Sequence, residues 1–275
     1  MTEEILVWKT CPDLIKADLP HPDWIIPELV GADPRGYGVL AGGSKLGKSS
    51  LALQMGHSAA TGTPFLCGRW TPERAYRVVY VMGDEPPGEL RKAVERDWKD
   101  SPMGVVWVPP NVLGAESSVL MHLRTVLYEE LGAELVLWDA FESIKPIEWD
   151  INTEEGMTRC VNSVKTVSDQ SPWWTTHHNS KNRDRFDQDK MAGHHRLTGG
   201  ASTLILLEGT EHVAVMKTKG RGMPSRADRL NRAQWPLSSR WEWDPRNDVV
   251  VKPGTPHHHL PEVPDQVRGV LEAWE

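Results

Sequence analysis

The chain has 275 residues, of which 39% are hydrophobic and 25% charged, with a formal net charge of −7. That composition specifies a packed globular core and excludes a disordered polyelectrolyte. Three widely spaced cysteines (Cys11, Cys67, Cys160) with no C-x-x-C pair argue against a disulfide scaffold and a zinc–thiolate site.

The opening MTEEILVWKTCPDLIK carries acids where a secretory leader needs basic residues, and no apolar run reaches membrane length; a cytoplasmic protein is expected. Residues 1–35 read as an N-terminal arm, rich in Pro and Asp. Within it Trp24-Ile25-Ile26-Pro27 is a short anchor, for a nucleotide base, a neighbouring subunit or the sheet edge. An apolar strand follows at 37–41, then a Gly-rich turn, then a helix over 48–61. The turn holds Gly42-Gly43-Ser44-Lys45-Leu46-Gly47-Lys48-Ser49-Ser50, the G-x-x-x-x-G-K-S spacing of a P-loop. Such a turn presses backbone N–H groups against a polyphosphate without intervening Cβ atoms, and the helix aims its positive end at the same point. Lys48 reaches the β and γ phosphates of ATP, and the Ser49 hydroxyl completes the shell of Mg²⁺.

Further strands are predicted at 77–82, 105–108, 134–139, 173–177, 203–207 and 212–217, with short late ones at 240–243 and 249–252. Helices are predicted over 88–98, 117–132 and 153–169. Apolar strands alternating with helices specify an α/β fold: a mostly parallel sheet with helices on both faces and an antiparallel edge. The main domain spans 36–252, and 253–275 is a linker with a short helix.

In such a sheet ligands bind beyond the carboxyl ends of the strands, where three carboxylates fall. Asp139 closes ELVLWD, the Walker B pattern, and holds Mg²⁺ through water. Asp84 and Glu85 close the strand 77–82; either can orient the attacking water, and Glu85 has the longer reach. Residues 216–232 carry six basic residues against Asp228 alone. Residues 181–196 carry Lys181, Arg183, Arg185, Lys190 and Arg196 against Asp184, Asp187 and Asp189. The remainder is strongly acidic, which fits a localised polyanion contact or a subunit interface that pairs opposite charges. Adjacent strand histidines His177 and His178 point to opposite faces, which disfavours a shared metal. Most of the tryptophans belong to regular elements and pack as core.

The order of parts resembles the RecA-like ATPases, most closely the RepA-type hexameric helicases and related phage-encoded ATPases. The resembling segments are GGSKLGKSSLALQ (42–54), YVMGDEPPGELRK (80–92), LVLWDAFESI (135–144), TTHHNSK (175–181), LTGGAST (197–203) and KTKGRGMP (217–224). The resemblance implies a RecA-like core with ATP and Mg²⁺ as cofactors, working as a homo-oligomeric, hexameric ring on single-stranded DNA. It implies that His178 senses the γ-phosphate, and that Lys181 through Arg196, with Gly199, Gly200 and Ser202, belong to DNA-facing loops. It also implies that Lys219 and Arg221 reach a neighbouring subunit's site as arginine finger and partner. The expected task is helicase or translocase activity in phage- or plasmid-type replication. The alternatives are a recombination or strand-annealing ATPase, and an ATP-dependent loading factor for a protein partner.

Overall fold

A computed structural model describes residues 24–178, 195–220, 225–232, 238 and 240–244, with the backbone alone of 249–250. The order of elements is β1 (Trp24–Ile26), β2 (Val30–Gly31), β3 (Tyr37–Gly42), α1 (Lys48–Thr61), β4 (Val78–Met82), α2 (Pro87–Asp97) and β5 (Gly104–Trp107). Then come α3 (Ser117–Thr125), β6 (Leu135–Asp139), α4 (Phe141–Ile144), α5 (Glu154–Val167), β7 (Trp173–His178) and α6 (Arg196–Gly200). The described part ends with β8 (Thr203–Gly209), β9 (Val213–Gly220), β10 (Arg226–Asn231), β11 (Glu242–Trp243) and β12 (Val249–Val250).

Ten strands form one sheet in the order β11-β10-β9-β8-β3-β7-β6-β4-β5, with β12 paired to β10. From β5 to β8 every pairing is parallel; β9 to β12 form an antiparallel edge. The mostly parallel α/β architecture with an antiparallel edge is therefore present. Period-two alternation sorts the buried strands' side chains to two cores. Along β6, Leu135 and Leu137 join α1, while Val136 and Trp138 join α3 and α5 on the other face. The 24–27 anchor lies in its own chain's core: Ile25 and Ile26 are fully buried in the α1-side cluster, and the Trp24 carbonyl accepts from Tyr76 Oη at 3.0 Å.

Two departures from the sequence reading have physical causes. The helix expected over 117–132 is α-helical only to Thr125 and continues as a π turn over Val126–Glu130. The wider turn leaves Leu123 and Leu127 buried while Leu120, Val126 and Leu131 are only partly so. Strand β10 was not expected, because its sequence RADRLN is charged. Those charges are met from afar: buried Asp228 by Arg69 at 3.1 Å, Arg226 by Glu28 at 2.6 Å, and Arg229 by Asp244 at 3.9 Å.

Candidate nucleotide site

The carboxyl ends of four parallel strands meet in register. Gly42 of β3 pairs with His178 of β7, and Met82 of β4 pairs with Asp139 of β6. The chain leaves β3 through the Gly-rich turn, in which Lys45 and Gly47 both adopt positive φ, 62° and 80°. Gly47 then starts α1, whose first turn has no acidic residue and no side-chain cap. Its unsatisfied N–H groups and dipole form a cradle suited to an anion.

Lys48 is buried and folds back over this turn. Its Nζ donates to the carbonyls of Gly42 (3.2 Å) and Gly43 (3.0 Å) and lies 3.2 Å from His178 Nδ1. Burial draws its pKa down, against the raising pull of Glu142, Asp139 and Asp84. Asp139 is buried at the end of β6 and accepts a hydroxyl on each oxygen, from Tyr80 and from Thr176. Tyr80 and Ser49 line the same cavity, so the phenol that donates to Asp139 faces the same space as the P-loop hydroxyl. Burial, with the Asp139 charge beside it, pushes the Tyr80 hydroxyl well above its ordinary value. Ser49 and Asp139 thus come to one region through Tyr80, a hydroxyl and a carboxylate of the kind a phosphate-bound Mg²⁺ requires.

The two acids after β4 are not equivalent. Asp84 accepts from Ser143 Oγ. Glu85 lines a cavity of about 320 Å³ between the first turn of α1 and α2, with Ser49, Ser50, Tyr80, Lys92 and Arg96. Burial and the neighbouring Asp139, Asp84 and Glu89 raise the Glu85 pKa. A second cavity of about 420 Å³ lies at the opposite end of the strands, around Tyr76, Arg77, Met103 and Glu130. It contains none of the P-loop residues, and its Glu134 is paired with Arg74 at 2.8 Å.

The cradle is fastened from the antiparallel edge. Trp241 Nε1 donates to the Gly47 carbonyl at 3.3 Å, and the Trp241 backbone exchanges hydrogen bonds of 2.8 and 2.9 Å with the Gln54 side chain. Arg232 stacks over the Trp241 ring with its guanidinium against Gly47, where a Cβ would fall 1.7 Å from Nη2. Burial, then the nearby Arg96, brings its pKa down to about 10.

Lys48, Ser49, Asp84, Glu85, Asp139 and His178 therefore share one end of the sheet. Lys219 does not: it pairs with Leu204 near the start of β8, at the opposite end, and is exposed. Arg196 opens α6 at that same far end, where Tyr37 Oη donates to the Leu197 carbonyl at 2.7 Å. Lys181, Arg183, Arg185, Lys190 and Arg221 lie outside the described residues. Among the described residues of the basic run 216–232, Lys217 meets Glu208 at 2.7 Å and Arg226 and Arg229 have the β10 pairs, while Lys219 is exposed. Sequence reasoning missed Tyr80, Thr176, Glu142, Arg232 and Trp241. For Tyr80 a signal existed, since it is the one residue with a hydroxyl in the otherwise apolar strand β4. The others are brought in by tertiary structure.

A family model described as an AAA domain matches residues 3–184. No curated protein matches the chain.

Proposed function

The chain belongs to the AAA domain family and is a P-loop ATPase; on that premise we propose that it is a RecA-like motor that couples ATP hydrolysis to movement on single-stranded DNA. Residues 42–50 cradle the phosphates and Lys48 meets the terminal ones. Ser49 and Asp139 would hold Mg²⁺, which would draw negative charge from the phosphates. Glu85 orients the attacking water; Asp84, already engaged by Ser143, is the weaker candidate. His178 responds to the terminal phosphate.

The observation that carries the DNA reading is continuity along β7. The strand whose last residue meets Lys48 runs directly into the basic segment beginning at Lys181. The residue that would meet the terminal phosphate is thereby three positions in sequence from a basic stretch suited to a polyanion. Lys219 supports action in trans, because it stands at the wrong end of its own sheet to meet its own P-loop. A ring, expected to be hexameric, would bring that end of one protomer, with Arg221, to the phosphates of the next.

ATP turnover measured with and without single-stranded DNA at low salt tests this. Several-fold stimulation that fades with salt is expected. Unchanged turnover favours a second reading, an ATP-dependent loading factor that binds a protein partner. The internally paired cations of β9 and β10 and the net charge of −7 support that alternative. For the trans contact, Arg221→Ala should bind ATP and hydrolyse poorly, and mixing it with Lys48→Ala should restore part of the activity. No restoration would remove the trans assignment.

A further inference from the structure

We infer that Glu142 is a positioning residue for ATP cleavage: its carboxylate takes the place of a missing strand neighbour and fixes the end of β7, so that the His178 ring stands against Lys48 and the incoming terminal phosphate. The inference rests on the ATPase reading of this site and does not depend on DNA.

Pairing between β6 and β7 runs only from Val136–Trp173 to Trp138–Thr175. Beyond that point β6 ends at Asp139 and the chain turns into α4. His178 still pairs with Gly42 of β3 on its other side. Its amide therefore faces a flank that no strand among the described residues covers. Glu142, on α4, fills that flank: Oε1 accepts the His178 N–H at 2.7 Å and stands 2.6 Å from His177 Nδ1. One oxygen thus holds two consecutive residues of the strand end. His177 is fully buried, edge-on to Phe141 of the same helix, which fixes α4 and β7 as one unit. The second oxygen, Oε2, is buried and has no hydrogen-bond partner among the described residues.

The consequence is geometric. An ammonium has no lone pair, so His178 Nδ1 is the acceptor in its 3.2 Å contact with Lys48. Whatever moves the end of β7 moves this acceptor relative to the P-loop. Misplacement by about 1 Å at a reacting centre costs up to about 100-fold in rate. Burial pushes the Glu142 carboxyl up, but the His177 ring and the His178 amide outweigh it and bring the pKa down to about 2, so the group stays an acceptor at neutral pH. It also leads the carboxylates that offset the burial of Lys48.

Two conservative variants separate position from bulk and charge. Glu142→Gln keeps the accepting oxygen at its place and removes the charge. Glu142→Asp keeps the charge and withdraws the oxygen by one methylene. Turnover of Mg-ATP and binding of a fluorescent ATP analogue are measured for both. Glu142→Asp is expected to lose about 10- to 100-fold in kcat, with KM and analogue affinity within about threefold of the wild type. Glu142→Gln is expected to retain kcat within about threefold. Equal activity of the two variants, or a loss of analogue binding that parallels the loss of kcat, would overturn the assignment. A wild-type chain that binds no analogue would remove the ATPase reading itself, a result neither variant can produce.

Discussion

At Asp139 a buried carboxyl group has both oxygens engaged by hydroxyls, from Tyr80 and from Thr176. Removing one donor leaves a buried oxygen without its partner. Tyr80→Phe is expected to cost about 1–3 kcal/mol in urea unfolding. It should also lower kcat, since the phenol holds Asp139 at the end of β6. Two titrations are expected as well. A Glu85 pKa raised by burial and by the neighbouring acids puts the acid limb of the kcat profile above the ordinary glutamate value of 4.5. Glu142 behaves oppositely, with a folded-state pKa below its unfolded value. Its contribution to stability is present above the unfolded value and is lost as pH falls from 4.5 toward about 2. Denaturant midpoints over that range should fall less steeply in Glu142→Gln than in the wild type.

At the scale of elements, the cradle depends on packing that reaches it from both sides. Gly38 on β3 lies under Trp174 of β7, where a Cβ would stand 2.1 Å from the indole. Gly38→Ala is therefore expected to destabilise by about 1–3 kcal/mol or more, read by thermal unfolding. Trp241→Ala removes a fully buried indole and the donor to Gly47. A loss of about 3–5 kcal/mol is expected, with weaker nucleotide affinity. The parallel strands, α1, α2 and α5 were legible in the sequence to within a residue or two, because their apolar periods match what they bury. The P-loop, Asp139 and the acids after β4 were legible because strand ends carry them. Strand β10 was not, because its apolar positions are few and its charges find partners as distant as Arg69 and Glu28. Glu142 was unreadable for a related reason: its role exists only where β6 stops and β7 continues. Arg232 counted in sequence as one cation of a patch, yet it is buried against Gly47 and Trp241.

For the molecule as a whole, the sheet carries its chemistry at one end and offers different groups at the other. Lys48, Asp139, Glu85 and His178 gather at the carboxyl ends, while Lys219 and Arg196 stand at the far end. A ligand bound only by the folded chain stabilises it by mass action. Mg-ATP at about 100 times its Kd is expected to add about 2.7 kcal/mol, and Lys48→Ala should abolish that gain. Calorimetry with and without nucleotide checks both.

The indole that holds Gly47 comes 194 positions after it in the chain. During synthesis the P-loop, β3 and α1 leave the ribosome long before the residue that clamps them. A nascent chain short of Trp241 therefore lacks the clamp of the finished cradle, and ATP in the surrounding medium is poorly placed to help it fold. A chain truncated ahead of this tryptophan is therefore expected to gain less stability from nucleotide than the full chain.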